Sequence, residues 1–165
     1  VDWLRLGTGQ PEIVNLRLEQ MYGGGDDNQK FIPWLIESLL SGAKEIPLTN
    51  GEQKRDFVHV KDVVSLYMAV LMYPVGSGFS EFDVGTGRFS TVRDIAKRLR
   101  QLVEDTSGRT LLPELDFGAV PYRAGELMEP DINVAATTRK FGWRPEISLE
   151  KGLKELVLET CCERI

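Results

Sequence analysis

The sequence is poor in the residue types that build metal sites, disulfides and catalytic triads. It has two cysteines, the adjacent Cys161 and Cys162, and a single histidine, His59. Neighbouring cysteines rarely bridge each other without strain, and no further cysteine or histidine stands at zinc-ligand spacing. We therefore expect reduced thiols in a cytoplasmic protein and no metal site. His59 also lacks a serine, cysteine or acidic partner at suggestive spacing, so we expect a packing residue and no triad.

Long apolar runs and a basic excess are absent as well. No segment approaches the roughly 20 apolar residues that a membrane span needs, and no signal-peptide pattern opens the chain. The formal net charge is −5, and the lysines and arginines are scattered among acids. Neutralising phosphates requires clustered cations, so we expect no nucleic-acid partner and no membrane partner.

Apolar periodicity alternates between strands and helices along the chain. The predicted strands are 13–18, 45–49, 56–60, 82–84 and 112–117, and the first of them reads as largely buried. The predicted helices begin near Pro33, 63, 91, 135 and 148, with Asp26, Asp27 and Asn28 as capping candidates for the first and Thr91 with Asp94 as a capping box. The alternation predicts an α/β fold with some parallel strand pairing.

Two arginines stand in segments whose chemistry suits a diphosphate. Arg55 lies in KRDF, between a glycine turn and a strand, and Arg123 lies in PYRAGE. The planar guanidinium can donate two parallel hydrogen bonds to phosphate oxygens, and two phosphates call for two cations. Taken alone, each arginine could equally be a solvated surface residue.

Four motifs in register resemble the NAD-dependent epimerase/dehydratase family, the extended short-chain dehydrogenase/reductases. They are LRLEQMYGGG from Leu16, GEQKRDFVHVKD from Gly51, PYRAGE from Pro121 and KFGWRP from Lys140. The resemblance runs from 13 to 156 and matches the C-terminal part of these Rossmann-type enzymes, which implies a small mixed sheet with helices.

Two motifs of that family are absent from the sequence, and their absence indicates which part of the enzyme this chain represents. Neither GxxGxxG nor Tyr-x-x-x-Lys occurs, so the N-terminal dinucleotide-binding half and the catalytic pair are expected to be missing. Residues 1–4 read as the tail of a helix without an initiating Met. We therefore expect residues 1–165 to form a single substrate-binding, C-terminal domain that is a fragment of a larger enzyme.

The resemblance also implies a set of substrate-binding residues. Arginines at the positions of Arg55 and Arg123 hold the diphosphate of a nucleotide sugar in relatives, and an asparagine stands where this chain has Gln20. Tyr22 and Lys30 match a loop and a helix start beside the nucleotide. No catalytic, cofactor-binding or metal-binding residue is expected. Glu19, at a strand end, could face the sugar or be an ordinary rim carboxylate.

The expected function follows from the resemblance. The complete enzyme would be a sugar-nucleotide epimerase, dehydratase or reductase using NAD or NADP, and this chain would bind the nucleotide-diphosphate sugar but no cofactor alone. Arg17 and Glu19 resemble the subgroup that makes dideoxysugars on cytidine diphosphate, the paratose and abequose synthases. A non-catalytic binding module and half of a split enzyme are the alternatives. Strands 13–18 and 82–84 would leave an exposed sheet edge, so we expect a homo-oligomer.

Overall fold

The structure is a computed structural model that describes residues 13–73 and 77–162. The helix tail expected at 1–4 and the helix stop expected at Pro74 lie outside these residues. The strands are β1 (Ile13–Leu18), β2 (Gln20–Tyr22), β3 (Glu45–Leu48), β4 (Lys54–His59), β5 (Phe79–Val84), β6 (Phe89–Thr91) and β7 (Glu114–Phe117). The helices are α1 (Phe31–Leu40), α2 (Val60–Met72), α3 (Val92–Ser107), α4 (Val134–Phe141) and α5 (Leu149–Cys162).

The strands form three small sheets. β1 pairs in parallel with β5, and β3 pairs in parallel with β7. β4 is the centre of a mixed sheet, parallel to β2 and antiparallel to β6. The α/β class and the small mixed sheet are confirmed. The sequence did not predict β2 and β6 because strands of three residues are too short to show an alternating pattern.

The helices bury two separate apolar clusters, and β4 contributes to both. The first cluster packs α1, α3 and α5 against β2, β4 and the β3–β7 pair, with Phe57 from β4. The second packs α2 and α4 against β1 and β5, with Val58 from β4. Successive residues of a strand point to opposite faces, which lets one strand serve two clusters. The start of β4, where Arg55 lies, is therefore held between the two.

Several helix ends follow the sequence predictions. Thr91 Oγ1 accepts a hydrogen bond from the amide of Asp94 at 3.0 Å, which confirms the predicted cap of α3. Gly142 ends α4 in the left-handed conformation with φ 63°, where glycine is favoured. Trp143 next to it is buried and donates to Ser65 Oγ at 2.8 Å, so this motif is structural as expected.

The capping candidates for α1 were wrong. Lys30 occupies the N-cap position, and no side chain caps the helix. Asp27 Oδ1 accepts from the amide of Gln29 at 2.9 Å, and Asp26 pairs with Lys30 Nζ at 2.7 Å. These carboxylates stabilise the loop before the helix, because side chains of this type compete for nearby backbone amides.

Helix α2 presents two apolar stripes. Val63 and Leu66 are buried against the second cluster, as the helical spacing predicts. Val64, Tyr67 and Leu71 are apolar residues of the same helix but are exposed, with Leu71 at 78%. Only one side of α2 packs against the described strands, so the stripe is wider than the covered face.

β1 is half-buried, which corrects the prediction of a largely buried strand. Ile13 to Leu16 are partly accessible, and Leu18 is 39% exposed. Within the described residues β1 has a strand partner on one edge only, β5, and the opposite edge is open. No helix among these residues is both long and apolar enough to cross a membrane.

Candidate ligand-binding site

Arg55, the second residue of β4, is fixed by three hydrogen bonds. Its Nη1 donates to the carbonyl oxygens of Lys54 and Leu127 at 2.7 and 2.6 Å, and its Nη2 pairs with the carboxylate of Glu126. The Arg55 side chain is 16% exposed. A guanidinium carries five N–H groups, so one on Nε and one on Nη2 are left for a ligand.

Arg123 lies in the loop between β7 and α4, which is tied to β4. Tyr122 Oη accepts from the amide of Glu52 at 2.9 Å, and the amide of Lys54 donates to the carbonyl oxygen of Met128 at 2.7 Å. Arg123 itself starts a tight turn that Gly125 completes with φ +77°. Its side chain is exposed and has no hydrogen-bonding or ionic partner in the part of the chain that the structure describes.

The two arginines, which are far apart in sequence, line one cleft of about 460 Å³. Gln20 and Glu126 line it as well, and its apolar wall includes Trp34 and Phe117. The guanidinium of Arg93 lies 4.1 Å from the Phe117 ring centroid and fixes that ring. Cations beside aromatic side chains suit a ligand with an anionic part and a flat apolar part.

A second cavity of about 350 Å³ adjoins the cleft, since Gln20 and Phe57 line both. Lys30 lines the second cavity and is neutralised by Asp26 at 2.7 Å. The structure thus brings Arg55, Arg123 and Gln20 together in one cleft and places Lys30 in the neighbouring cavity.

Tyr22 lies deeper than the other predicted residues. It is 3% exposed, and its ring packs edge-on against Phe57 and His59, with ring centroids 6.4 and 5.2 Å apart. Burial raises the pKa of the Tyr22 hydroxyl well above its usual range. Tyr22 nevertheless lines the second cavity together with Lys30, and its binding role stays a prediction.

Two carboxylates near the cleft serve the fold. Asp56, fully buried, accepts from the amides of Thr86 and Gly87, at 2.8 and 2.7 Å to Oδ2. Asp83 accepts from the amide of Asn133 and from Arg17 Nε, both at 2.7 Å. Asp83 therefore joins the end of β5 to β1 and to the residue that precedes α4.

His59 is the packing residue that the sequence predicts, with an added structural role. It is 4% exposed, and its Nδ1 accepts from the amide of Lys61 at 3.2 Å, which caps α2. Asp62, in the first turn of α2, accepts from the amides of Glu146 and Ile147 at 3.1 Å each. Burial lowers the pKa of His59, so the ring is held neutral.

The sequence reasoning missed the partner of Arg55 and the aromatic wall. Glu126 stands three residues after Arg123 in a recognised motif, so it could have been included on that signal. Trp34 and Phe117 carry no local signal, because residues at core spacing are indistinguishable from residues that line a cleft. No group of three His, Cys, Asp or Glu side chains within 13–73 and 77–162 could hold a metal.

A further cavity is lined by neither Arg55 nor Arg123. It has a volume of about 650 Å³ and is lined partly by Arg139 and Arg144. Both are exposed, and the side chain of neither has a partner in the described ranges. This second arginine-lined cavity supplies a natural control for experiments on the cleft.

Comparison with known proteins gives the wider relationship. Residues 7–85 match the model of the NAD dependent epimerase/dehydratase family. The chain is 34% identical over 145 residues to a CDP-abequose synthase of Salmonella muenchen, covering 88% of this chain and 47% of that protein. It therefore spans about half the length of the curated relatives it matches, and it aligns with their C-terminal part.

Solved structures share the fold. The complex of MoeE5 with UDP-glucuronic acid and NAD superposes with a TM-score of 0.75 at 25% identity, covering 93% of this chain and 48% of that one. A UDP-glucose 4-epimerase from Thermotoga maritima with UDP-glucose gives a TM-score of 0.73 at 28% identity, covering 92% and 47%. Neighbours of this fold bind nucleotide sugars and NAD.

The glycine run after β2, Gly23 to Gly25, does not form a dinucleotide-binding turn. The protein itself fills the space beside the first two glycines, since a Cβ at Gly23 would lie 2.4 Å from Val60 Cγ1 and one at Gly24 would lie 2.7 Å from Glu159 Oε2, whereas a Cβ at Gly25 would meet no described atom within 4 Å. A dinucleotide turn instead leaves open space for a pyrophosphate on backbone amides. Glu159 at the run is also a charge that would repel a pyrophosphate.

Proposed function

Because this chain is related to the NAD-dependent epimerase/dehydratase family, we propose that it forms the part of such an enzyme that binds a nucleotide-diphosphate sugar. Residues 1–165 would act as the substrate-binding, C-terminal portion, and NAD or NADP would be held elsewhere in the complete enzyme. The observation that carries the proposal is the shared cleft of Arg55 and Arg123.

The states of the two arginines support complementary roles. Arg55 is pre-organised by Glu126 and two carbonyl oxygens, so little side-chain entropy is lost when its two remaining N–H groups meet a phosphate. Arg123 is exposed and unpaired among the described residues, so it is free to fold over the second phosphate. A bidentate guanidinium–phosphate pair is stronger than a neutral hydrogen bond.

The rest of the cleft suits the non-phosphate parts of the ligand. Trp34 and Phe117 offer apolar surface to a nucleobase, and the Gln20 amide can donate to a phosphate or sugar oxygen. Similarity to CDP-abequose synthases favours a cytidine diphosphate sugar. The chain's own residues would bind and orient this substrate. The sequence has no Tyr-x-x-x-Lys pair, so proton transfer would depend on residues outside it.

Calorimetric titration of the protein at its full natural length with CDP-glucose tests the proposal. Removing a hydrogen bond to a charged group costs about 1.5–3 kcal/mol, so Arg123→Ala should weaken binding by about tenfold or more, and Arg55→Ala with Arg123→Ala further still. Arg139→Ala, an exposed unpaired arginine in the other cavity, is the matched control and should leave the Kd unchanged. Equal affinity for the double variant, or a loss confined to Arg139→Ala, would contradict the cleft.

A further inference from the structure

Glu19 forms the one-residue link between β1 and β2 and is tightly placed. Its amide donates to the carbonyl oxygen of Val84 at 3.0 Å, and its own carbonyl oxygen accepts from the amide of Met21 at 2.8 Å. The residue lines the cavity beside the arginine cleft, next to Gln20 and with Lys30 on another wall. Both backbone groups of Glu19 are thus used to hold it at the mouth of the candidate site.

The Glu19 side chain lies against the loop that follows β5. A Cβ at Gly85 would be 3.3 Å from Glu19 Cγ and 2.5 Å from Asp56 Oδ2, so the absence of a side chain at Gly85 makes room for both carboxylates. Glu19 is half-buried, and its carboxylate has no hydrogen bond and no ion pair with any described residue. The described side-chain atoms that are buried without a partner are Tyr22 Oη and Gln53 Oε1, so the Glu19 oxygens are accessible, and a ligand that enters the cavity can reach them.

Each charged side chain near Glu19 has a hydrogen-bond or ionic partner other than Glu19. Asp56 is satisfied by Thr86 and Gly87, and Arg17 is held by Glu81 and Asp83. Arg55 on β4 is held by Glu126. Burial raises the pKa of Glu19 most, and the Asp56 and Asp83 carboxylates raise it further, while Arg55 and Arg17 lower it.

We propose that Glu19 accepts hydrogen bonds from hydroxyl groups of the ligand's sugar and so determines which sugar the site selects. The inference rests on the proposed function. The Glu126 carboxylate is neutralised by Arg55, whereas the Glu19 carboxylate has no cationic partner among the described residues. Glu19 would therefore repel a diphosphate and must face a part of the ligand without phosphates, and its two oxygens match two hydroxyl donors. Gln20 beside it lines both cavities, whereas Glu19 lines the neighbouring cavity and is not among the residues that line the arginine cleft.

Comparing two ligands on the protein at its full natural length tests this inference. Kd values are measured for CDP and CDP-glucose with the wild type, Glu19→Ala, Glu19→Gln and Glu114→Ala, an exposed carboxylate on β7 as the matched control. Glu19→Ala should weaken CDP-glucose binding about tenfold and change CDP binding less than twofold, since a hydrogen bond to a charged group is worth about 1.5–3 kcal/mol. Glu19→Gln keeps one acceptor and should lose less, and Glu114→Ala should lose nothing.

Each other outcome overturns a distinguishable claim. If Glu19→Ala changes CDP and CDP-glucose binding equally, or changes neither, Glu19 does not contact the sugar. The proposed binding of the diphosphate by Arg55 and Arg123 is unaffected by that result. An amino-sugar nucleotide could bind the wild type far more tightly than CDP-glucose does. If Glu19→Ala abolishes only this additional affinity, the carboxylate recognises an ammonium group and the hydroxyl assignment is wrong. If the wild type binds neither CDP nor CDP-glucose, the proposed function fails and the inference falls with it.

Discussion

At the scale of single residues, the two arginines of the cleft differ in what they do for the fold. Arg55 satisfies Glu126, whose side chain is 21% exposed, whereas Arg123 has no partner among the described residues. Arg55→Ala should therefore cost about 1–3 kcal/mol of unfolding free energy by leaving a carboxylate and two carbonyl oxygens without their donor. Arg123→Ala should leave stability unchanged. Urea denaturation of both variants checks this, and equal losses would refute the difference.

Because the pKa of Glu19 is raised in the folded protein, the stability of the fold should depend on pH. The folded state binds the proton more tightly than the unfolded state, whose pKa is near the ordinary 4.5. Ionisation therefore costs stability as pH rises from that value through the raised pKa, and the cost persists above it. Glu19→Gln should melt at a higher temperature than the wild type at pH 7, and the two should converge below pH 4.5. A constant difference across this range would show that ionisation is not the cause.

The sequence motifs identified the two arginines but not the side chains and carbonyl groups that they contact. Arg55 and Arg123 could be chosen from sequence because their neighbours match a family pattern, and Gln20 and Lys30 followed from the same alignment. The pairing of Arg55 with Glu126 and the burial of Tyr22 depend on how loops fold back on β4 and β2. Local sequence does not encode such tertiary contacts.

At the scale of elements, α5 and β2 approach so closely that the contact requires a glycine. A Cβ at Gly152 would lie 2.2 Å from Tyr22 Oη and 3.0 Å from His59 Cδ2. Alanine is the better helix former by about 1 kcal/mol, but overpacking of a core costs about 1–3 kcal/mol. We expect Gly152→Ala to lower the melting temperature.

Tyr22→Phe is the compensating substitution for Gly152→Ala, because it removes the atom nearest to the added Cβ. The Tyr22 hydroxyl is buried and has no hydrogen-bond partner within 13–73 and 77–162, so its removal should cost little stability alone. In the double variant with Gly152→Ala, the space left by the oxygen should restore part of the lost stability, as measured by thermal melts of all four proteins. Additive losses would show that the hydroxyl is not the obstacle.

Element types were predictable where the sequence has a long period or a defined cap. Thr91 with Asp94 fixed the start of α3, and Gly142 fixed the end of α4. The prediction failed at the start of α1, where three adjacent capping candidates stabilise a loop, and at the three-residue strands β2 and β6. The outer stripe of α2 looked like core because spacing shows that a face is apolar, not that anything covers it.

At the scale of the whole molecule, open apolar surface should drive association. Met68 and Leu71 on α2 are 59% and 78% exposed, and one edge of β1 has no strand partner among the residues that the structure describes. We propose that the isolated chain self-associates at micromolar concentration, because exposed edges and apolar patches pair with further copies. Analytical ultracentrifugation should find oligomers that Met68→Glu with Leu71→Glu reduces. A clean monomer of the unmodified chain would exclude this.

The convergence of the arginines could not be derived from the sequence alone. Arg55 and Arg123 lie on a strand and on a loop separated by α2, β5, β6, α3 and β7, and their meeting depends on the loop being stitched along β4. The family pattern predicted the meeting, and the shared cleft is consistent with it. The sugar-facing position of Glu19 stayed open in the sequence because a strand-end carboxylate has no distinguishing local pattern.

The most direct measurement is a crystal structure of the protein at its full natural length with CDP bound. The account predicts that guanidinium nitrogens of both Arg55 and Arg123 lie within about 3.2 Å of diphosphate oxygens, the distance of a hydrogen bond. A diphosphate bound in the cavity of Arg139 and Arg144, or one touched by neither Arg55 nor Arg123, would contradict it.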